Sequence, residues 1–268
     1  MSDMYNEEII SQAVHTKWTG KTVHFAKEID STNLWAKREW KEGRAGHGEL
    51  FVAEYQSAGR GRFARKWEAP ADSSVIMSLL LCPGFSPVKA PMLTLVMGLS
   101  VAQAVEEVGI NTGIKWPNDV VVSKKKICGI LTEMTMAGDR IGCAVIGVGI
   151  NVNIDSFPEE MADKATSLFI ESGHTFHREE ILGKVMKYFE INYEKFVQTE
   201  DLSGLKADYE KLLMNLDQPV RVLDQNAPFE GIARGIEPDG ELLVEKKDGT
   251  VVRVNAGEVS VRGLYSYV

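Results

Sequence analysis

The sequence predicts an α+β fold, in which a mixed β-sheet flanked by helices is followed by a small all-β module. Residues 1–216 combine apolar runs of strand length with segments of helical period, without the regular β-α-β alternation of a doubly wound sheet. From about residue 218 the chain consists of short β-rich runs with two Asp-Gly turns between them, a pattern typical of hairpins. We therefore predict one domain over 1–216 and a second, a five-stranded barrel, over 217–268.

The elements of the first domain follow from periodicity and from capping residues. A short helix begins the chain, and a second helix follows Asp30 or Ser31, either of which can cap it, and ends at Gly43. Three further segments with helical period are 91–108, 178–198 and 203–215. The β-rich runs predict strands at 22–29, 50–55, 75–82, 112–116, 120–122, 127–134 and 143–152.

Composition and charge limit the classes of function. The 268 residues are 44% hydrophobic and 25% charged, as in a soluble globular protein, and the net charge of −8 disfavours a surface that binds nucleic acid throughout. The three cysteines, Cys82, Cys128 and Cys143, lack a C-x-x-C spacing and indicate a reduced, cytoplasmic protein. No apolar signal segment begins the sequence, and polar residues interrupt the apolar stretch 91–108, which predicts a core helix and not a membrane span.

A cationic stretch, QSAGRGRFARKW, occupies residues 56–67 of this acidic chain. One interpretation is a solvated charge run, and another is a patch that binds single-stranded nucleic acid with the help of its aromatic rings, although the stretch lies between two apolar strands. The spacing also matches the dinucleotide fingerprint G-x-G-x-x-[GA]. That fingerprint must begin a helix, and the residues that follow, with Pro70 among them, predict a loop.

We favour a loop that surrounds a small polyanion. Glycines let the backbone approach a ligand closely, and arginine side chains present forked donors to phosphate or carboxylate groups. Because Arg60, Arg62, Arg65 and Lys66 repel one another, we expect the loop to be mobile without ligand and ordered with it.

Other polar residues stand at the ends of predicted strands and are candidates for the same site. The turn KWPND at 115–119 offers a cation, an amide and a carboxylate to a ligand, although these residues also suit an ordinary turn between strands. Lys126 begins an apolar strand and can point to the sheet face where a ligand lies, whereas Lys124 and Lys125 indicate a solvated turn. Asn151 ends another apolar strand, where it can bind an adenine edge or cap a turn.

Separated motifs in a fixed order resemble those of the biotin protein ligases, also called biotin–[acetyl-CoA-carboxylase] ligases. They are EIDSTN at 28–33, AEYQSAGRGRFARKW at 53–67, KWPND at 115–119, KICGIL at 126–131, GVGIN at 147–151 and ATSL at 165–168. The C-terminal stretch is also similar to the small SH3-like domain of that family. One departure is Ala64, where many members carry glycine. Regulatory members carry an N-terminal winged helix-turn-helix, for which too few residues precede Ser31, so we expect a monofunctional ligase without a repressor role.

The resemblance implies a class II synthetase-like first domain and ATP-dependent attachment of biotin to a lysine of a carboxylase's biotin carboxyl carrier domain. The biotin carboxylate would attack the α-phosphate of ATP to give biotinyl-5′-AMP and pyrophosphate, and the lysine amine would then attack that anhydride and release AMP. Mg²⁺ is the implied companion of ATP. We expect a monomer or homodimer with no nucleic-acid or membrane partner, and lipoate- or octanoate-attaching enzymes are the nearest alternative.

The resemblance also implies roles for individual residues. Arg60 would hold the biotin carboxylate, Arg62 the adenylate phosphate, and Lys126 would polarise both groups. Lys115 and Asp119 would serve the second step, with Asp119 also a candidate Mg²⁺ ligand. The full set implied to bind biotin or the nucleotide is Ser31, Thr32, Asn33, Gln56, Gly59, Arg60, Gly61, Arg62, Arg65, Trp67, Lys126, Gly129 and Asn151.

Overall fold

The first domain is built on a seven-stranded mixed sheet, as predicted. The computed structural model describes residues 5–223, 228–255 and 260–263. The strands are β1 Val23–Ile29, β2 Leu50–Gln56, β3 Ser74–Leu81, β4 Gly113–Lys115, β5 Asp119–Val122, β6 Lys125–Ala137 and β7 Arg140–Asn151. Their order is β1-β2-β3-β7-β6-β5-β4, in which β1 and β2 are parallel and all other neighbours are antiparallel.

Helices cover both faces of this sheet. They are α1 Glu7–Ala13, α2 Thr32–Lys41, α3 Met92–Glu107, α4 Glu159–Ala162, α5 Leu168–Ser172, α6 Arg178–Thr199 and α7 Lys206–Leu212. The main hydrophobic core lies between the sheet and the pair α3 and α6, which pack against each other. A smaller core forms on the opposite face, where Ala36 of α2 packs with Phe51, Leu80 and Val145 of the sheet. The wide face that α2 leaves uncovered is where the site lies.

The apolar stretch around α3 is a core helix, as its interrupted hydropathy predicts. Residues Pro87–Glu107 are long and apolar enough to cross a membrane by composition alone, but 72% of the most apolar window is buried inside the protein. Pro91 stands just before the helix, where its missing N–H costs nothing. The buried α3 therefore packs on the sheet face opposite the one that carries the site.

The C-terminal module contains a five-stranded antiparallel sheet. Its strands are β8 Pro219–Leu223, β9 Phe229–Ile236, β10 Leu242–Glu245, β11 Val251–Val254 and β12 Ser260–Gly263, in the order β11-β10-β9-β8-β12. Both Asp-Gly turns connect the strands of hairpins. Gly240 and Gly249 take φ values of 85° and 84° in these turns, a region that favours glycine. Within the described residues β11 and β12 are the two edges, so closure into an SH3-like barrel stays a prediction, as does the division at 216. Parts of the predicted module, 224–227, 256–259 and 264–268, lie outside the described residues.

The module contacts the edge of the first sheet that carries the KWPND turn. The indole Nε1 of Trp116 donates to the carbonyl of Gly240 over 3.0 Å. Just before the module, the backbone N–H of Met214 donates to the carbonyl of Ile114 over 2.9 Å. Trp116 is fully buried by these contacts. The position of the turn that follows Trp116 therefore depends on both sheets.

Candidate functional site

A pocket lies on the sheet face that carries α2, between the N-terminus of that helix and the basic loop. Its wall combines polar side chains, cations and a few apolar side chains above a floor of backbone. The lining residues are Ser31, Thr32, Asn33, Gln56, Arg60, Gly61, Arg62, Trp67, Ile76, Met77, Asn118, Lys126, Gly129, Ile130, Leu131, Gly147, Val148 and Gly149.

The pocket floor consists of glycines on two neighbouring strands. Gly129 of β6 pairs with Gly149 of β7, and Gly147 lies two residues away on the same face. A Cβ atom on Gly147 would lie 2.3 Å from Oδ1 of Asn33, and one on Gly149 would lie 2.3 Å from Cζ2 of Trp67. Side chains from α2 and from the basic loop therefore reach the sheet backbone, and any larger residue on the floor would displace them.

One wall is a hydrogen-bonded polar network at the start of α2. Oε1 of Gln56 accepts from the backbone N–H of Thr32 over 2.7 Å and from its hydroxyl over 3.0 Å. The Ser78 hydroxyl lies 2.7 Å from Oγ1 of Thr32 and donates to Oδ1 of Asn33 over 2.6 Å. Ser31 is the N-cap residue, as predicted, but its side chain makes no capping hydrogen bond. Gln56 bonds the first N–H of the helix instead, which leaves the Ser31 hydroxyl to the pocket.

The basic loop is a short turn whose two ends pair with each other. The N–H of Gly61 donates to the carbonyl of Arg65 over 2.7 Å, and the N–H of Trp67 donates to the carbonyl of Gly59 over 3.1 Å. This pairing brings Trp67, which the resemblance implies to bind biotin or the nucleotide, over the glycine floor. Only a three-residue 3₁₀ turn follows the glycines, so the loop does not begin the helix that a dinucleotide fingerprint requires.

Ala64 has a φ of 56°, in the left-handed region that glycine adopts without steric cost. That backbone conformation gives a physical reason for the glycine that many members of the resembled family carry here. A side chain at this position narrows the conformations open to the loop. We therefore expect the loop with Ala64 to be stiffer than it would be with glycine at this position.

The pocket cations have acidic neighbours. Nζ of Lys126 lies 2.6 Å from Oδ1 of Asp119, which also accepts from Nδ2 of Asn118 over 3.2 Å. Arg62 is half-buried, and burial lowers the pKa of its guanidinium, with Asp119 opposing that shift and Arg65 adding to it. The guanidinium of Arg62 also lies 4.4 Å from the centre of the Phe63 ring. An anion that entered the pocket would meet Lys126 and Arg62 in a partly desolvated setting, where charge interactions are strong.

A β-bulge explains how Lys126 and Gly129 both face the pocket. Residues three apart on a regular strand point to opposite faces. Here the register shifts so that Val120 pairs with Cys128 and Val121 with Lys126, which leaves one extra residue on β6. The Nζ of Lys126 consequently reaches 2.8 Å from the place that a Cβ on Gly129 would take. Glycine at 129 therefore makes room for the lysine.

The structure gathers most of the predicted site residues into the pocket and leaves a few outside its lining. Gly59 packs against the carbonyl of Trp67, and Asp119 contacts Lys126, so both support the lining. Lys115 is buried on β4, opposite Asp119 in the strand register, and Arg65 is exposed on the loop. The predicted residues that do line the pocket are Ser31, Thr32, Asn33, Gln56, Arg60, Gly61, Arg62, Trp67, Lys126 and Gly129.

Asn151 lies beside the pocket at the end of β7. Its Nδ2 donates to the carbonyl of Thr166 over 3.0 Å, and the N–H of Thr166 donates to the carbonyl of Lys126 over 2.9 Å. The ATSL motif therefore joins Asn151 to the strand start that carries Lys126. Whether Asn151 binds adenine stays a prediction.

Some residues that build the site are absent from the predicted set. Ser78 lies inside a fully buried apolar strand, and the only sequence signal for it is a lone hydroxyl in that run. Glu133 contacts Arg60 and Asn33, and strand alternation from Gly129 would have assigned it to the pocket face. Asn118 was noted only as the amide of the KWPND turn, and it lines the pocket.

The fold and site together define an enzyme class that binds a small ligand with both a neutral polar part and an anionic part. A family model described as the biotin/lipoate A/B protein ligase family matches residues 25–151, and one described as the biotin protein ligase C terminal domain matches residues 216–262. The chain is 37% identical over 247 residues to a bifunctional ligase/repressor BirA of Bacillus spizizenii, which covers 91% of this chain and 75% of that relative.

Two further comparisons agree. The chain is 35% identical over 219 residues to a biotin–[acetyl-CoA-carboxylase] ligase of Mycobacterium tuberculosis, covering 79% of this chain and 78% of the relative. A structure of a biotin protein ligase from Aquifex aeolicus in complex with biotin and ATP matches with a TM-score of 0.78 at 34% identity, covering 91% of this chain and 99% of that chain. The chain therefore belongs to the biotin/lipoate A/B protein ligase family, and within that family it is a biotin protein ligase.

Proposed function

We propose that this protein attaches biotin to one lysine of a carboxylase's biotin carboxyl carrier domain, with ATP and through biotinyl-5′-AMP. The observation that carries the proposal is a single pocket with a neutral polar wall at α2 and two cations, Arg62 and Lys126, beside a glycine floor. The family supports it, as do the biotin and ATP named for the Aquifex aeolicus structure and the carboxylase named for the Mycobacterium tuberculosis relative. A biotin ring offers donors and acceptors to such a wall, and its carboxylate offers a charge to the cations.

In the proposed first step, one carboxylate oxygen of biotin attacks the α-phosphorus of ATP, and the bond to the β-phosphate oxygen breaks to release pyrophosphate. Ser31, Thr32 and Gln56 would orient the neutral ring. Arg62 and Lys126 would lie against the oxygens on which negative charge develops. Preorganised donors of this kind stabilise a transition state because they need little reorganisation at the moment of reaction.

In the proposed second step, the neutral amine of the carrier lysine attacks the acyl carbon, the acyl–oxygen bond to AMP breaks, and the amine gives up a proton. Oδ1 of Asp119 lies 2.6 Å from Nζ of Lys126, which lines the pocket. The Asp119 carboxylate is our candidate for orienting the carrier lysine and receiving its proton. We propose that Lys115, buried on β4 opposite Asp119, places a positive charge beside the Asp119 carboxylate.

Mg²⁺ is proposed to accompany the phosphates of ATP, where it would neutralise their charge. No group of three or more histidine, cysteine, aspartate or glutamate side chains that could hold a metal occurs among the described residues. Asp119 is a single carboxylate already bonded to Lys126 and Asn118, so the protein fits an ion held mainly by the nucleotide.

We further propose that the protein acts in the cytoplasm, as a monomer or homodimer, and without a repressor role. The net charge of −8 supports the last point, since DNA binding requires a basic surface. In a gel-shift titration with biotin and ATP present, we expect the protein not to retard any promoter fragment.

Biotin-dependent exchange of labelled pyrophosphate into ATP tests the first step directly. We expect exchange with biotin and none with lipoate or octanoate at equal concentration. Faster exchange with lipoate than with biotin would contradict the proposal, and absence of exchange with all three acids would remove its first step.

A further inference from the structure

A second carboxylate borders the pocket, and neither the family motifs nor the proposed chemistry gives it a role. Glu133 lies on β6, two and four residues beyond the lining residues Leu131 and Gly129, and strand alternation places it on the same face. Its side chain is 22% exposed. It therefore lies at the rim of the pocket, where a charged group loses part of its hydration.

Three donors converge on this carboxylate from two separate elements. Nη2 of Arg60, in the basic loop, lies 2.8 Å from Oε2 and 3.1 Å from Oε1. Nζ of Lys37 lies 3.0 Å from Oε1, and Nδ2 of Asn33 donates to Oε2 over 2.8 Å. Burial raises the pKa of Glu133, but the bonds from Asn33 and Lys37 and the charges of Lys37 and Arg60 outweigh it and hold that pKa below its ordinary value. Glu133 is therefore ionised at neutral pH.

The carboxylate fixes the orientation of the Asn33 amide. Nδ2 of Asn33 donates to Glu133 and to the carbonyl of Leu131, so its Oδ1 is turned toward the Ser78 hydroxyl, which donates to it. The same amide lies directly over Gly147 on the pocket floor. A neutral partner at 133 would weaken the bond that selects this orientation, because hydrogen bonds to an ionised acceptor are roughly twice as strong.

Glu133 also restrains Arg60 without using up its donors. Both bonds to Glu133 start from Nη2, and a guanidinium carries five N–H donors in a planar fork. Arg60 can thus keep its bonds to Glu133 and also donate to a ligand carboxylate. Fixing a long side chain before the ligand arrives removes the entropy cost of ordering it on binding.

We propose that Glu133 is a positioning residue for biotin, which holds the Arg60 guanidinium and the Asn33 amide in the pocket wall and so sets the affinity for biotin and not for ATP. This inference rests on the proposed function and on the role that the resemblance implies for Arg60, which is to hold the biotin carboxylate. Glu133 acts through the two residues that it holds.

A control variant separates this positioning role of Glu133 from a purely structural one. Glu133 also ties α2 to β6 through Lys37, which does not line the pocket. Replacing Lys37 by methionine breaks that tie and leaves Arg60 and Asn33 bonded to the carboxylate. K37M is therefore the control for loss of the Lys37 ion pair alone, since Asn33 still joins α2 to Glu133.

The test compares wild type, E133Q and K37M by equilibrium dialysis with labelled biotin and by the KM for ATP in pyrophosphate exchange. Loss of one charge-assisted contact predicts that E133Q raises the Kd for biotin about 10- to 100-fold, with the KM for ATP changed by less than about 2-fold. K37M is expected to change the Kd for biotin by less than about 3-fold. An unchanged Kd in E133Q, or an equal rise in K37M, would overturn the inference.

Two further variants complete the test. In an R60A background the E133Q change should have a smaller effect on the Kd for biotin, because one of the two positioned groups is gone; an undiminished effect would overturn the part assigned to Arg60. Should E133Q fail to fold, E133D keeps the charge but withdraws it by one methylene, and an unchanged Kd in E133D overturns the inference. Failure of the proposed function is distinguishable, since wild type itself would then not bind biotin.

Discussion

Gly149 offers a direct test of the pocket floor. A Cβ atom at this position would lie 2.3 Å from Cζ2 and 2.4 Å from Cε2 of Trp67. Carbon atoms in contact lie about 3.5–4.0 Å apart, so the Gly149→Ala substitution must push the indole away by about 1.2 Å or more. The loop resists that movement, because the N–H of Trp67 is bonded to the carbonyl of Gly59 over 3.1 Å.

Overpacking of this kind costs about 1–3 kcal/mol, which corresponds to about 5- to 150-fold in a dissociation constant if the cost falls on the bound state. We expect Gly149→Ala to raise the Kd for biotin by a factor in that range and to slow biotin-dependent pyrophosphate exchange. Gly84→Ala is the control, because nothing lies within 4 Å of the added Cβ there. Equilibrium dialysis and the exchange assay provide the two measurements.

A double variant separates the proposed cause from a general disturbance of β7. In a Trp67→Ala background the added methyl group has no ring to meet, so Gly149→Ala should then cost little beyond the loss caused by Trp67→Ala itself. A Kd for Gly149→Ala within twofold of that for Gly84→Ala would refute the reasoning. So would an undiminished effect in the Trp67→Ala background.

Three further predictions concern charges. Lys126→Met should abolish pyrophosphate exchange while changing the Kd for biotin by less than about tenfold, and normal exchange would exclude Lys126 from the first step. Arg62→Ala should release biotinyl-5′-AMP and label lysines of bystander proteins, whereas full retention of the adenylate on a gel-filtered enzyme would contradict its phosphate role. Hydrogen bonds from Lys184 and Lys187 lower the pKa of Glu107 from 4.5 to about 2. The stability that Glu107 contributes is therefore present above about pH 4.5 and is lost as the pH falls through about 2. Urea unfolding should show Glu107→Gln to be less stable than wild type by about 1 kcal/mol at pH 7, a difference that disappears near pH 2; a constant difference would refute the ion pair.

The strands of the first sheet and the helices α1, α2, α3, α6 and α7 were predictable from the sequence because each carries a period or a cap, whereas the short helices α4 and α5 were not predicted. The runs 50–55 and 75–82 became β2 and β3 almost residue for residue, and the helix after Asp30 became α2. The basic loop was predicted to surround a small polyanion, and the structure places Arg60, Gly61 and Arg62 of that loop in the pocket lining. These signals are local, so one sequence suffices to find them.

The parts that the sequence did not predict depend on contacts between distant segments. Lys126 was expected on the ligand face because it begins an apolar strand, but its sharing a face with Gly129 depends on a bulge that only the pairing of β5 with β6 reveals. Glu133 is 73 residues from Arg60 and 100 from Asn33, so no local pattern indicates that they meet. The position of Trp67 over Gly149 likewise depends on how the two ends of the basic loop pair.

Transfer of labelled biotin to an isolated biotin carboxyl carrier domain, with ATP and Mg²⁺, tests the central claim most directly. We expect label on the wild-type carrier domain, in an amount that depends on ATP. We expect no label when the target lysine is replaced by arginine and almost none with the Lys126→Met enzyme. An enzyme that binds biotin but leaves the carrier domain unlabelled, while a known biotin protein ligase labels the same preparation, would contradict the account.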